Sequence, residues 1–325
     1  MNIWWWVGFN ALVLILLVVD LGIFHREAHE VKPKEAAIWS GVWITLALLF
    51  NLFIYYEFGS QAATEYLTGY LIEKSLSVDN LFVFVLVFSY FQVPARYQHR
   101  ILFWGIIGAL IMRALLIGTG AFLLERFAWI IYIFGAFLIY TGIKMAFQKE
   151  GAIDIEQNPM IKLMRRWFPV TNTYHDQKFF IRQAGKIVVT PMFIVLMLIE
   201  STDLVFALDS IPAIFAVTRD PFIVYTSNIF AILGLRSLYF LLANVVDKFH
   251  LLKYGLAVVL TFIGVKMVIA EWYHIDTIIS LLIVALVLTA SVVGSLIWPQ
   301  KAEEVESLIA HDGASHPPDA AKREK

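Results

Sequence analysis

Apolar positions in this chain come in long, nearly uninterrupted runs, not in the short alternating or three-to-four-residue patterns of soluble elements. A helix that crosses a bilayer needs about 20 mostly apolar residues. Nine such runs occur, near 3–24, 37–57, 66–91, 99–124, 128–147, 188–217, 222–246, 253–271 and 276–298. They predict an all-α, polytopic membrane protein with nine transmembrane helices. Trp4-Trp5-Trp6, Tyr55-Tyr56 and Trp272-Tyr273 stand at run ends, where amphipathic rings favour the headgroup zone. The first run lacks a basic leader and a small-residue cleavage site and contains Asp20, so it reads as a retained span with an interfacial acid.

Lys and Arg between the runs set the expected orientation. The segments 25–36, 92–100, 148–187, 247–253 and the tail from 299 hold eighteen of them, and nine crossings put all five segments on one face. The other face holds Arg126 and Arg219. This predicts an outside N-terminus and a cytoplasmic C-terminus. Lys144 and Lys266 lie near helix ends, where a long side chain can snorkel to the interface.

Composition narrows the class. Of 325 residues, 60% are apolar and only 16% charged, with mean hydropathy +0.74. A soluble domain typically carries about 25% charged residues. There is no cysteine, which removes disulfides, thiolate metal sites and Cys nucleophiles. The net charge of −1 argues against a nucleic-acid partner.

The chain also resembles itself. Ser77-x-Asp79 matches Ser201-x-Asp203, Arg113 matches Arg236, and Tyr132…Gly142-Ile-Lys144-Met145 matches Tyr254…Gly264-Val-Lys266-Met267, at offsets of 124, 123 and 122. Each copy spans three runs, and an odd number of crossings makes the second copy enter from the opposite face. Two inverted three-helix repeats follow, a plan that secondary transporters use with the site at the repeat interface. The organisation read from this is two N-terminal helices (1–60), repeat 1 (66–148), a cytoplasmic loop (149–187), repeat 2 (188–271), a final helix (276–298) and a cytoplasmic tail (299–325). A duplicated structural bundle without transport is the competing reading.

Charged residues inside the runs are costly, about 2.5–3.5 kcal/mol each on insertion scales. Five acids lie there: Glu73, Asp79, Glu200, Asp203 and Asp209, against the candidate counter-charges Lys74, Arg113 and Arg236. Glu200 and Asp203 share a helix face, and Asp79 and Asp203 are repeat mates. Asp209 points away from Glu200 on a straight helix; Pro212 is expected to kink or break the helix and could swing Asp209 inward. The arginines either hold the acids ionised or move and compete with a cation. Asn228 and Asn244 read as helix-packing polar groups, and Gly105-x-x-Gly108 and Gly118-x-Gly120 as close-packing sites.

No histidine falls at mid-run, so the ligands on offer are carboxylates, the Asn80 amide, the hydroxyls of Ser77, Ser201 and Ser210, and carbonyls. Such oxygen sets suit hard divalent ions (Mn²⁺, Ca²⁺, Mg²⁺). Five acids exceed three bases by two, the charge of one such ion, and the same acids could carry protons for antiport. The metal set read from the sequence is thus Glu73, Asp79, Asn80, Glu200, Asp203 and Asp209. No prosthetic group is expected. The loops carry no nucleotide-binding or nucleophile motif, and His175-Asp176 is an isolated pair, so an enzyme is not expected.

The stretches Gly69–Asn80, Glu200–Thr218 and Asp220–Arg236 resemble the TerC family of membrane proteins, most closely its Alx-type branch, with the resemblance running over roughly 1–298. The family's acids fall on Glu73, Asp79, Glu200, Asp203 and Asp209. The resemblance implies a bacterial inner-membrane protein, manganese as the exported ion, and a link to tellurite resistance. Transport of Ca²⁺, or a non-transporting scaffold that docks partners through the 148–187 loop, are the alternatives.

Overall fold

The computed structural model describes residues 3–22, 33–127, 129–147, 169–171, 173–175, 178–183, 186–243, 250–270, 272–273 and 275–298, without the side chains of residues 20–22, 79, 82 and 186. Helix α1 is Ile3–Gly22, α2 Pro33–Tyr90, α3 Ala95–Arg126 and α4 Ile130–Phe147. A hairpin follows, β1 Phe180–Gln183 and β2 Lys186–Val189. Then come α5 Pro191–Phe215, α6 Pro221–Leu233, α7 Leu235–Leu242, α8 Leu252–Ile269 and α9 Thr277–Ile297. Among the described residues seven helices are long and apolar enough to cross a membrane, with α6 and α7 counted together; the apolar stretch of α1 is shorter. Side chains such as Leu115, Val205, Leu282 and Leu286 stand exposed on the outside of the bundle, as a lipid-facing surface requires.

Helix α2 is 58 residues long, about 87 Å at 1.5 Å per residue and far more than one bilayer. It breaks at Gly59, whose φ of 90° and ψ of 176° are open essentially to glycine alone. The halves 33–58 and 60–90 fold back on each other: the Phe50 and Tyr66 rings lie 5.7 Å apart, and the Tyr66 hydroxyl donates to the Ala47 carbonyl at 3.3 Å. The runs 37–57 and 66–91 fall on these halves.

Helix α5 behaves differently from the sequence expectation. It continues through Pro212 to Phe215. The proline removes one bond to the Leu208 carbonyl, but it stands within a turn of the helix end. A real interruption occurs instead at Gly234, between α6 and α7. Lys74 Nζ donates to the Ala231 carbonyl there at 3.1 Å, and a Cβ on Gly234 would meet that same nitrogen at 2.9 Å.

Glycines set the tightest helix pair, α4 with α8. A Cβ on Gly135 would lie 2.9 Å from the Gly264 carbonyl oxygen, one on Gly264 2.7 Å from that of Gly135, and one on Gly142 2.8 Å from that of Ala257. The pairing of 135 with 264 and of 142 with 257 makes the helices antiparallel. Gly105, Gly108 and Gly120 likewise face α5, whereas Gly118 faces nothing within 4 Å.

Aromatic rings fill one side of the bundle: Phe9 packs on Phe50, Phe222, Tyr225 and Phe230, and the Tyr225 hydroxyl ties α6 to Asn10 of α1 at 2.9 Å. The antiparallel hairpin, Phe180 opposite Val189 and Gln183 opposite Lys186, is a small β addition to the expected all-α chain. Tyr174, just before it, donates its hydroxyl to the Phe91 carbonyl at 2.7 Å, at the end of α2. Partial burial pushes the Tyr174 hydroxyl up to about 12. Asp20, Asn244, Asp176 and the tail from 299 lie outside the described residues or side chains.

Candidate functional site: a buried arginine–carboxylate cluster

Mid-helix positions of three helices converge on Arg113 of α3. Its guanidinium grips Asp203 of α5 with two bonds, Nη2 to Oδ1 at 2.8 Å and Nε to Oδ2 at 3.2 Å. Nη1 donates to Glu73 of α2 and, at 3.2 Å, to Asn228 Oδ1 of α6. Asn228 Nδ2 in turn donates to Glu73 Oε2 at 2.9 Å, and Asn80 Nδ2 to Asp203 Oδ1 at 3.2 Å. All five side chains are buried, Arg113 to 1% exposure. A planar fork that serves two carboxylates at once is what a guanidinium offers and an ammonium does not.

Helical spacing selects these partners. Glu73, Ser77 and Asn80 stand at i, i+4 and i+7 and form one stripe of α2. Asp203, Ala207 and Ser210 form the matching stripe of α5. Asp203 is the central residue of Pro191–Phe215, so the cluster sits about 18 Å from either end of that helix. Three oxygens on these stripes, Ser77 Oγ, Asn80 Oδ1 and Ser210 Oγ, are buried without a hydrogen-bond partner. Buried polar atoms are seldom left so, which marks them as the donor set open to a ligand or water.

The remaining expected residues are placed elsewhere. Glu200 is half-buried one turn from Asp203, its carboxylate lying where a Cβ on Gly108 would be. Asp209 faces Thr141 and Lys144 of α4; with α5 unbroken it stays about 120° round the helix from Asp203. Lys74 serves the helix interruption at Gly234. Arg236 is buried and, with Asp203, lines a cavity of about 20 Å³ among Phe84, Leu102, Ala109 and Leu235. The Asp79 side chain lies outside the described side chains. Among the described residues no three Asp, Glu or His side chains gather as a metal-holding group. Lys266 does not snorkel: it is buried, and its Nζ donates to Ser280 Oγ of α9 at 2.8 Å. Sequence reasoning read Asn228 as a helix-packing group and missed its place in the cluster; the signal available was an amide inside a mostly apolar run, eight residues after the cap Asp220, which accepts from the Phe222 amide.

Together these features define a multi-pass helical membrane protein with an ion-paired polar cluster buried at mid-depth. The comparisons with known proteins give the particular family. The chain matches the integral membrane protein TerC family over residues 58–303, and it belongs to that family. It is 52% identical to an uncharacterized membrane protein of Myxococcus xanthus over 292 residues, covering 90% of this chain and 92% of that one. It is 51% identical over 285 residues to the Escherichia coli K12 protein named "Putative membrane-bound redox modulator Alx", covering 85% and 89%. A membrane protein of Rickettsia bellii is 44% identical over 292 residues, covering 90% and 97%. No solved structure matches the chain.

Proposed function

We propose that this protein exports Mn²⁺ across the bacterial inner membrane by alternating access through the Arg113 cluster. The observation that carries this reading is the meeting, at mid-helix depth, of Glu73, Asn80 and Asp203 with buried unpartnered oxygens of Ser77, Asn80 and Ser210. Hard oxygen donors of this kind suit Mn²⁺ over softer metals. While Arg113 holds Asp203 with two bonds, the Asp203 carboxylate oxygens serve the guanidinium. Loading a divalent ion therefore requires Arg113 to release Asp203, so that arginine and metal alternate as the positive partner. Asp79 and Glu200 complete the acidic set, and protonation of the same acids after release of the metal couples export to the proton gradient.

Nine spans fit this reading, with the halves of α2 counted separately and α1 included. The N-terminus is then outside and the C-terminus cytoplasmic. The antiparallel packing of α4 on α8 supports the inverted repeats: at an offset of 122 the pair 135–264 becomes 257–142, which is the second contact found. An inverted duplication requires corresponding helices to run in opposite directions. The relatives' name speaks of redox modulation. This chain has no cysteine, so no thiol–disulfide couple of its own, and we read a redox effect as a consequence of the metal moved.

The test is metal flux into sealed inside-out vesicles, wild type against Asp203→Asn, with and without a pH gradient. Uptake of Mn²⁺ by the wild type and its loss in a normally inserted Asp203→Asn is the expected result. Parallel runs with Ca²⁺ separate the two hard-ion readings. Equal flux in both proteins overturns the carrier, and intact partner binding with no flux of any metal favours the scaffold.

A further inference from the structure

Two cavities lie in line along the same three helices. A large one, about 570 Å³, opens at the end of the bundle where α2 finishes and α3 begins, and Phe88, Gln92, Gln98 and Tyr239 are among its walls. The small one of about 20 Å³ beside Asp203 and Arg236 has Phe84, Leu102 and Leu235 in its walls. The wall residues are paired: Phe88 with Phe84 on α2, Gln98 with Leu102 on α3, Tyr239 with Leu235 on α7. Each pair is four residues apart, one turn and about 6 Å. A single layer of side chains thus separates the open cavity from the carboxylate cavity. From Gln98 to Arg113 along α3 is fifteen residues, about 22 Å.

That layer has a definite construction. The Phe88 and Tyr239 rings meet edge to face, 5.4 Å apart at 85°. The Tyr239 hydroxyl donates to Gln98 Oε1 at 3.2 Å, and Gln98 Nε2 is itself anchored on the Val93 carbonyl at 3.1 Å. Both rings are buried. On the opposite side of Arg113 the helices are filled by Ile117, Ile211, Ile214, Phe215 and Phe222. The aromatic layer belongs to a separate buried cluster and is fastened by one hydrogen bond whose acceptor is an uncharged amide.

We propose that Phe88, Tyr239 and Gln98 form the closed gate through which a hydrated cation reaches Asp203 from the face bearing the 92–100 segment and the Phe180–Val189 hairpin. This rests on the transport reading, which makes that face cytoplasmic. The edge-to-face pair excludes water and ions, the Tyr239–Gln98 bond latches it, and rotation of either ring joins the two cavities. Ser89 and the amides of Gln92 and Gln98 give the outer cavity neutral polar walls, which pass a hydrated cation without holding it by charge.

The chain has no cysteine of its own, so Ala109→Cys, in the wall of the small cavity, places a single thiol behind the gate. The probe is a small cationic, membrane-impermeant thiosulfonate added to inside-out vesicles. With the gate intact the thiol reacts slowly. Tyr239→Phe, which keeps the ring and removes the latch, is expected to speed labelling several-fold, Gln98→Ala likewise, and Phe88→Ala tenfold or more. If Phe88→Ala fails to fold, the two latch variants carry the test. Equal labelling rates in all gate backgrounds, or faster labelling in right-side-out vesicles, overturn the gate. Mn²⁺ flux is measured in parallel without the reporter cysteine. Faster labelling with no Mn²⁺ flux in any variant keeps the gate and removes the transport reading; normal flux with unchanged labelling does the reverse.

Discussion

Arg113 and Asp203, ninety positions apart in the chain, are joined by two parallel hydrogen bonds of 2.8 and 3.2 Å at the midpoint of α5. Breaking a buried pair by removing one partner typically costs about 3–5 kcal/mol, because the other charge is left uncompensated. Arg113→Ala should therefore lower thermal stability in detergent markedly. Arg113→Lys should restore little, since an ammonium cannot fork between Asp203 and Glu73. Tryptophan-fluorescence melting of wild type, both variants and Arg113→Ala/Asp203→Ala checks this. Additive losses in the double variant would contradict the pairing.

Asn228 closes the cluster by accepting from Arg113 and donating to Glu73. Asn228→Leu leaves Glu73 Oε2 without that donor, a loss of about 1–3 kcal/mol by the usual cost of an unsatisfied buried group. The same melting experiment should show it, together with reduced Mn²⁺ flux. An Asn228→Leu protein indistinguishable from wild type in both would return Asn228 to plain helix packing.

Asp209 faces α4 and not Arg113. Asp209→Asn should accordingly keep a larger share of metal flux than Asp203→Asn, at equal membrane insertion. The reverse order would place the cation path along α4.

The α4–α8 crossing depends on bare backbone. A Cβ at Gly135 meets a carbonyl oxygen, which cannot rotate away, whereas Gly118 has open space. Gly135→Ala should destabilise by about 1–3 kcal/mol, the cost of overpacking, and Gly118→Ala should be neutral or slightly stabilising. Melting temperatures of the two single variants decide it.

The Tyr174 tether carries a pH dependence. Its hydroxyl sits near pH 12 in the folded protein, against about 10 for a free tyrosine. The folded value is the higher one, so the tether to Phe91 is fully present below about pH 10 and is lost as pH rises from there towards 12. An alkaline protease should cut the hairpin segment faster across that window in wild type. Tyr174→Phe should cut faster at every pH with a flatter profile.

The membrane class, the long helices and the stock of buried charge were legible because apolar runs of bilayer length leave few alternatives. The partners of each charge were less so. The sequence grouped Glu73, Asp79, Asn80, Glu200, Asp203 and Asp209 as one set, while the described contacts join Glu73, Asn80 and Asp203 around Arg113 and leave Asp209 facing α4. Pro212 looked like the breaking point; the break fell at Gly234, where Lys74 covers a freed carbonyl. Lys266 read as a snorkelling group and is a buried donor to Ser280.

By itself, the order of residues determined that these segments become membrane helices and that oxygen-bearing anions would lie among them, since burial of apolar runs is a local property of composition. How each helix is rotated about its axis was decided by the tertiary structure. Lipid tails are as apolar as leucine, so hydrophobicity does not orient a helix within the bilayer. Orientation came instead from the few contacts that discriminate one face from another: the fork of Arg113, the amides of Asn80 and Asn228, and the bare backbones of Gly135, Gly142 and Gly264.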